Sequence, residues 1–409
     1  MRTSPLLEQA WKQSFDWILA RPRTDGLHVA RSPRELRSAP QAERQALIYV
    51  VHSGKMYGTE RAALWTLDGL RRNWDPILIA PPGPVHEEAE RLGIEVHPLR
   101  GRLHLLFSLW RLLVRKRKAA VLTTGVGQAL LGCLAQLLAL ARVAHACVVH
   151  GGVDEHASFG RKAWLARTPV QLIAVSDFVR RCLCERGVRE RQVRTIENFL
   201  PERAFALDPR PLRREPSERR LLVVSRLDAI KHVDLLIEAL ERSPDLHDLP
   251  VRVLGDGPER QRLEERVRRS RLAVEFVGYS DEVFAELDRA DGLVHTWERE
   301  PFGLAVAEGQ ARGLPVLVPD AGGAAALVEH ERTGLHYIAG DADSLAAALR
   351  DWRERPAAEL EALGQRAWGS ARMRYARHRC LAELDAFLVA RLSAAGKAAG
   401  MAVEPGAAR

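Results

Sequence analysis

Residues 221–240 read LLVVSRLDAIKHVDLLIEAL. Four consecutive aliphatic residues run into a polar turn that carries Arg226, Asp228 and Lys231. A short, wholly apolar run bounded by a polar turn suits a strand buried on both faces of a parallel sheet, followed by a helix. Immediately upstream, PERAFALDPRPLRREPSERR (residues 201–220) has little apolar periodicity and reads as an interdomain linker. Residues 221–240 therefore mark the place where a strand–helix alternation starts for a second time.

Working outward, ALIYVVH from Ala46, PILIAPP from Pro76, AAVLTTG from Ala119, HACVVHG from His145 and LIAVS from Leu172 form a first set of strands. Longer segments of helical periodicity separate them. PVRVLGDG from Pro250, VEFVGY from Val274, GLVHT from Gly292 and LPVLVPD from Leu314 continue the second set. Two successive β-α-β-α series predict an α/β protein with two Rossmann-like, doubly wound parallel-sheet domains. The expected division is an extension over 1–45, a first domain over 46–200, a linker over 201–219 and a second domain over 220–370. A final helix over 371–393, crossing back to the first domain, and a disordered small-residue tail over 394–409 complete it. The extension is polar and Arg-rich, with no function assigned.

A chain of 409 residues with 46% hydrophobic residues can bury more than one core. Its five cysteines are odd in number and form no C-x-x-C pair, which suggests neither a disulfide framework nor a zinc site and points to a reducing cytoplasm. The first residues lack a secretory pattern, and the longest apolar segment, residues 129–141, is interrupted by Gln136 and falls short of a bilayer span of roughly 20 residues. A net charge of +8 favours anionic partners such as nucleotide phosphates or acidic lipid surfaces. No nucleic-acid recognition motif accompanies the charge.

The chemistry concentrates in Glu298–Glu308, EREPFGLAVAE, which leads from the strand GLVHT into a helix. Free amides at the start of that helix, around Phe302, Gly303 and Leu304, suit an anion such as a diphosphate, and Gly303 permits close approach to the backbone. Glu308, one turn beyond Leu304, is placed to accept hydrogen bonds from vicinal hydroxyls such as those of a ribose. Arg226 and Lys231 sit at the carboxyl end of the second domain's first strand, where open α/β sheets bind ligands. A guanidinium fork and a compact ammonium can neutralise two phosphates and stabilise a departing diphosphate. As an isolated pair, Glu300 and Glu308 would read as a helix-capping charge and a solvated one, and a basic turn is often only solvated.

Taken in order, SRLDAIKHVDLLIEAL, the GDGPE at Gly255, EPFGLAVAE and GLPVLVPDAGG (residues 313–323) resemble the family 4 retaining glycosyltransferases of the GT-B fold, over about residues 47–345. The resemblance implies that Glu300 and Glu308 are the family's paired glutamates, with Glu308 holding the ribose and Glu300 touching the transferred sugar. It implies that Arg226 and Lys231 contact phosphate, that Gly255 belongs to the donor site, and that Gly58, in Tyr57-Gly58-Thr59-Glu60-Arg61, approaches from the opposite domain. His150, at the end of the strand HACVVH, corresponds to a histidine beside the reacting sugar. Two departures stand out: Thr59 replaces a second glycine, and Phe199-Leu200-Pro201 follows Asn198 where Gly-Val-Asp is usual.

The expected activity is transfer of a sugar from a UDP- or GDP-sugar to a glycan, lipid-linked or small-molecule acceptor, with retention. No metal or other cofactor is expected, because no Asp-x-Asp pair matches a metal-dependent transferase and Arg226, Lys231 and helix amides can meet the leaving-group charge. An epimerase on the same scaffold and a noncatalytic nucleotide-sugar binder are the alternatives. Residues 102–118, RLHLLFSLWRLLVRKRK, admit two readings: a peripheral contact with an anionic membrane, or a core helix packed through Leu105, Leu109 and Leu112 with a solvated basic end.

Overall fold

The computed structural model describes residues 44–151, 159–213, 215–280 and 282–401, with side chains to residue 395. All but the last two residues of the expected extension lie outside them, as do Gly152 and residues 402–409. The first half comprises β1 (Gln45–Val50), α1 (Gly58–Leu70), β2 (Trp74–Ala80), α2 (Pro84–Arg91), β3 (Glu95–Pro98), α3 (Arg102–Lys116), β4 (Lys118–Thr123), α4 (Val126–Ala139), β5 (Arg142–Val149), β6 (Gln171–Ala174), α5 (Asp177–Glu185) and β7 (Val193–Thr195). The second half comprises β8 (Leu221–Val224), α6 (Val233–Glu241), β9 (Val251–Leu254), α7 (Arg260–Ser270), β10 (Val274–Gly278), α8 (Val283–Leu287), β11 (Gly292–Val294), α9 (Leu304–Ala311), β12 (Val316–Pro319), α10 (Gly322–Ala325), β13 (Leu335–Tyr337) and α11 (Ala342–Glu354). Two helices close the chain, α12 (Ala357–Arg374) and α13 (Arg377–Met401).

Among the described residues the strands form two sheets, ordered β3-β2-β1-β4-β5-β6-β7 and β10-β9-β8-β11-β12-β13. Every pairing between neighbouring strands is parallel, and both orders reverse beside the first strand of their half. That reversal opens a crevice at the carboxyl ends of the strands. This is the GT-B architecture, two Rossmann-like parallel-sheet domains facing each other.

Strand alternation divides the first core into two layers. Ala46, Ile48, Val50, Ile77 and Ile79 point toward Leu105, Leu109, Leu112 and Leu113 of α3 and Ala135 and Ala139 of α4. Leu47, Tyr49, Leu78 and Ala80 point the other way, toward Ala63, Leu64 and Leu67 of α1. Each fully buried large aliphatic side chain contributes about 1.5–3 kcal/mol, so neither layer can be omitted.

The chain crosses between the halves twice, at two adjacent places. Leu200 pairs with Ala376, and the Leu200 amide donates to the Tyr375 carbonyl at 3.1 Å. Where the sequence predicts one closing helix over 371–393, the helix α12 stops at Arg374 and α13 starts at Arg377, because the crossing needs an extended pair there. The helix α13 then returns to the first half, where Trp74 Nε1 donates to Asp385 at 2.6 Å and Leu381, Leu384 and Leu388 are buried. Disorder is expected from residue 394, but the backbone remains helical to Met401. The Arg- and Pro-rich linker is fastened to the second half: Asp291, with no exposed surface, accepts from Arg210, from Arg213 and from the amides of Arg213 and Arg220.

Candidate active site

The site begins with a loop that glycines allow to fold tightly. After β8, Leu227 is buried and its amide donates to the Asp256 carbonyl at 3.0 Å, while its carbonyl accepts from the Glu259 amide at 2.9 Å. Gly255, at φ +143, lies so near Ser225 that a Cβ would stand 1.8 Å from its carbonyl oxygen. Only glycine fits, so Gly255 supports the Arg226 loop from behind. Arg226 pairs with Asp228 and lies over the ring of Tyr57, 5.1 Å from its centroid, which joins the second half to the first half's glycine loop.

Lys231 ends a short turn over residues 229–231 and reaches the other motif. Its Nζ stands 2.7 Å from Glu300 Oε2 and 3.9 Å from the centroid of Trp297, and its carbonyl accepts from Thr296 Oγ1 at 2.7 Å. His295 Nε2 lies 3.6 Å from the same Glu300 oxygen. Burial pushes the Glu300 carboxyl up, but Lys231, His295 and Arg226 outweigh it and hold the group below its ordinary value. Glu300 is therefore a carboxylate at neutral pH. Burial also pushes His295 down to about 4, against the pull of Glu300, so its ring is neutral there.

The loop between Glu300 and α9 is shaped by close backbone packing. The Gly323 amide donates to the Glu300 carbonyl at 2.6 Å, and a Cβ on Gly323 would meet the Pro301 carbonyl at 2.1 Å. Phe302 turns its ring into the core, edge-on to Tyr375 at 5.6 Å, which leaves its backbone at the helix start. Gly303 caps α9 at φ +99, and Leu304 is the first helical residue. Opposite Leu304 stands Gly58: a Cβ there would lie 3.3 Å from Leu304 Cδ1. The glycine loop of one half thus faces the amino end of α9 in the other.

Glu308 is placed on the inward side of α9, with 1% of its surface exposed, and Arg61 of the first half holds its Oε1 at 2.7 Å. Arg61 also lies over Trp65, 4.9 Å from the ring centroid. Sequence alone assigns Arg61 no role; the pairing of a cation with an aromatic ring recurs at Arg226–Tyr57 and Lys231–Trp297. In the same loop Glu60 is fully buried, and burial pushes its carboxyl up to about 7 against the nearby backbone amides of Glu60, Ser53 and Tyr57. It is the third residue of α1, and neither of its carboxyl oxygens has a hydrogen-bond partner among the described residues.

His150 directly follows β5, with its Nε2 3.4 Å from the Tyr49 hydroxyl. Burial above all, with Lys162 and His52 nearby, pushes it down to about 3, so the ring is neutral and offers one donor and one acceptor. The next residue, Gly151, is at φ +79 and abuts Pro301: a Cβ would lie 2.1 Å from Pro301 Cγ. Beneath His150 a cavity of about 40 Å³ is lined by Tyr49, Asn198 and Glu197 among others. The departure after Asn198 has a packing reason, since Phe199 is buried against Trp65 at 6.4 Å and Leu200 makes the crossing described above. Among the described residues no cluster of His, Cys, Asp and Glu could hold a metal ion.

Comparison with known proteins agrees with this arrangement. A family model described as Glycosyltransferase Family 4 matches residues 56–202, and one described as Glycosyl transferases group 1 matches residues 205–368. A glycogen synthase of Mycobacterium tuberculosis is 32% identical over 230 residues, covering 55% of this chain and 53% of that protein. N-acetyl-alpha-D-glucosaminyl L-malate synthase of Bacillus anthracis is 29% identical over 38% of this chain and 43% of its own length. The matched region is thus about half the length of these curated relatives. The Anabaena HepE structure in complex with UDP-glucose superposes with a TM-score of 0.74 at 19% identity, over 85% of this chain and all of that one. Sucrose-phosphate synthase from Thermosynechococcus elongatus gives 0.68 at 16% identity, over 86% of this chain and all of that one. Two parallel sheets of this order, a glycine loop opposed to the start of α9, and two adjoining family matches that take in most of the chain agree: the chain belongs to the group 1, family 4 glycosyltransferases.

Proposed function

We propose that the protein transfers a sugar, with retention and without a metal, from a UDP- or GDP-sugar to a glycan, a lipid-linked or a small-molecule acceptor. The observation that carries this reading is the Lys231–Glu300 pair at the amino end of α9, opposite Gly58. Arg226, Lys231 and the amides at Gly303 and Leu304 receive the diphosphate and stabilise the charge that grows on it as it leaves. Positive charge from two side chains and a helix end supplies what a divalent ion would otherwise supply. Glu300, kept ionised, accepts from hydroxyls of the transferred sugar. Glu308 accepts from the ribose once Arg61 gives way, and neutral His150 hydrogen-bonds the sugar or the acceptor. Gly255 serves the donor site indirectly, by fixing the Arg226 loop. Retention is supported by the family membership and by no particular carboxylate.

The division at residues 201–219 is supported by the gap between the two sheets, which runs from Thr195 to Leu221. Five free cysteines support a reducing, cytoplasmic setting.

The test is a thermal-shift series on the full chain with UDP, GDP, ADP and their sugars in the presence of EDTA. One nucleotide sugar at a hundredfold excess over its Kd is expected to add about 2.7 kcal/mol of stability, and Glu308→Ala is expected to abolish the shift. No shift with any donor, or one that appears only when a divalent ion is restored, would overturn the reading.

A further inference from the structure

The helices α3 and α4 have two apolar faces each. The inward face of α3 is Leu105, Leu109, Leu112 and Leu113, as the core reading of residues 102–118 requires. A second stripe, Leu103, Phe107, Trp110 and Val114, recurs at spacings of four, three and four on the exposed side. The helix α4 inverts the usual pattern: its buried residues are Ala129, Gly132, Ala135 and Ala139, while Leu130, Leu134, Leu137 and Leu138 stand outside. Small residues let α4 pack closely on its neighbours and leave its leucines to whatever lies beyond.

Single exposed apolar side chains need no explanation. Here nine of the sixteen exposed large hydrophobic residues among the described ones fall between Leu103 and Leu140, on two helices that pack side by side. That concentration calls for a partner.

Charge identifies its chemistry. Residues 96–153 contain eight Lys or Arg and no Asp or Glu, a formal charge equal to the +8 of the whole chain. Arg102, Arg111, Arg115 and Arg117 are exposed on or beside α3, and Arg142 follows α4. A second copy of this surface would set like charges against each other with no acidic residue from this stretch to offset them. An apolar face rimmed by arginines, with a tryptophan in it, instead fits the boundary of an anionic bilayer. We propose that the outward face of α3 and α4 docks on an anionic lipid surface. The proposal goes beyond the transferase reading and is measured without donor or acceptor. The helix α4 starts next to Thr124, whose hydroxyl lies 3.1 Å from His52 at the same sheet end as His150.

The experiment is co-sedimentation of the full chain with vesicles of phosphatidylcholine alone and of phosphatidylcholine mixed with phosphatidylglycerol, alongside light scattering to give the oligomeric state. Binding to the anionic vesicles is expected to exceed binding to the neutral ones by about tenfold or more and to fall with salt. Phe107→Ser with Trp110→Ser is expected to abolish sedimentation, and Arg111→Glu with Arg115→Glu to weaken it by more than about tenfold. All four side chains are exposed, and an unchanged melting temperature in the absence of lipid confirms that each variant folds. No preference for the anionic vesicles would overturn the proposal. So would a dimer that the Phe107→Ser, Trp110→Ser variant dissociates, since a second copy would then be the occupant.

Discussion

At the scale of single residues, the site works by pairing charges whose burial would otherwise neutralise them. Lys231 is the nearest cation to Glu300, so Lys231→Ala removes both the proposed phosphate contact and the main charge holding that carboxyl below its ordinary value. We expect kcat/KM to fall by about 10²–10³-fold and the acid limb of the pH profile to move to higher pH. A profile that keeps its acid limb would separate Glu300 from catalysis. Glu60 gives the opposite sign. Its carboxyl is raised from 4.5 to about 7 in the folded chain, so between those values the folded state keeps a proton that the unfolded state has shed. Stability therefore falls as pH rises through that window, by up to about 3 kcal/mol. Glu60→Gln should flatten the dependence and leave the protein more stable than the parent above pH 7, by urea unfolding at several pH values; a parallel pair of curves would refute the assignment.

At the scale of elements, α9 is the part on which the site turns. Gly303 caps it at φ +99 with Ala324 close behind, so Gly303→Ala should cost about 1–2 kcal/mol and weaken donor binding by tilting the first turn, read by calorimetry with the nucleotide sugar. Unchanged affinity would show that the helix amides do not touch the donor. The strands that bury both faces were legible as apolar runs, and the glutamates, Arg226 and Lys231 were legible because they stand in fixed order at strand-to-helix turns. The strands β3, β7 and β13 were not. Each lies at the edge of its sheet, with no neighbour on one side and only three or four residues, so no apolar run marks it. Arg61 carries no sequence signal because its partner, Glu308, is 247 residues away and only the fold joins them. The outward leucines of α4 were hidden for a different reason: an apolar helix looks the same in sequence whichever face is inside.

At the scale of the molecule, the two halves meet at Arg61–Glu308, at Tyr57–Arg226 and where Gly151 abuts Pro301. A methyl group at residue 151 cannot be accommodated in that last contact. Gly151→Ala should leave donor affinity nearly intact, because the proposed donor residues lie mainly in the second half, while lowering turnover by about tenfold or more. Solution scattering with donor bound should give a larger radius of gyration than the parent; an equal radius and equal turnover would show that closure at this point is not needed.

The return of α13 to the first half has a consequence for the order of synthesis. The residues that cover part of the first core, Leu381, Leu384 and Leu388, are made only after the whole of the second half, and Trp74 must wait for Asp385. Topologically the second domain is an insertion between a domain and its own final helix. The first half is thus begun before the second and completed after it, and until then it carries an open apolar flank of the kind that makes partly folded chains prone to aggregate.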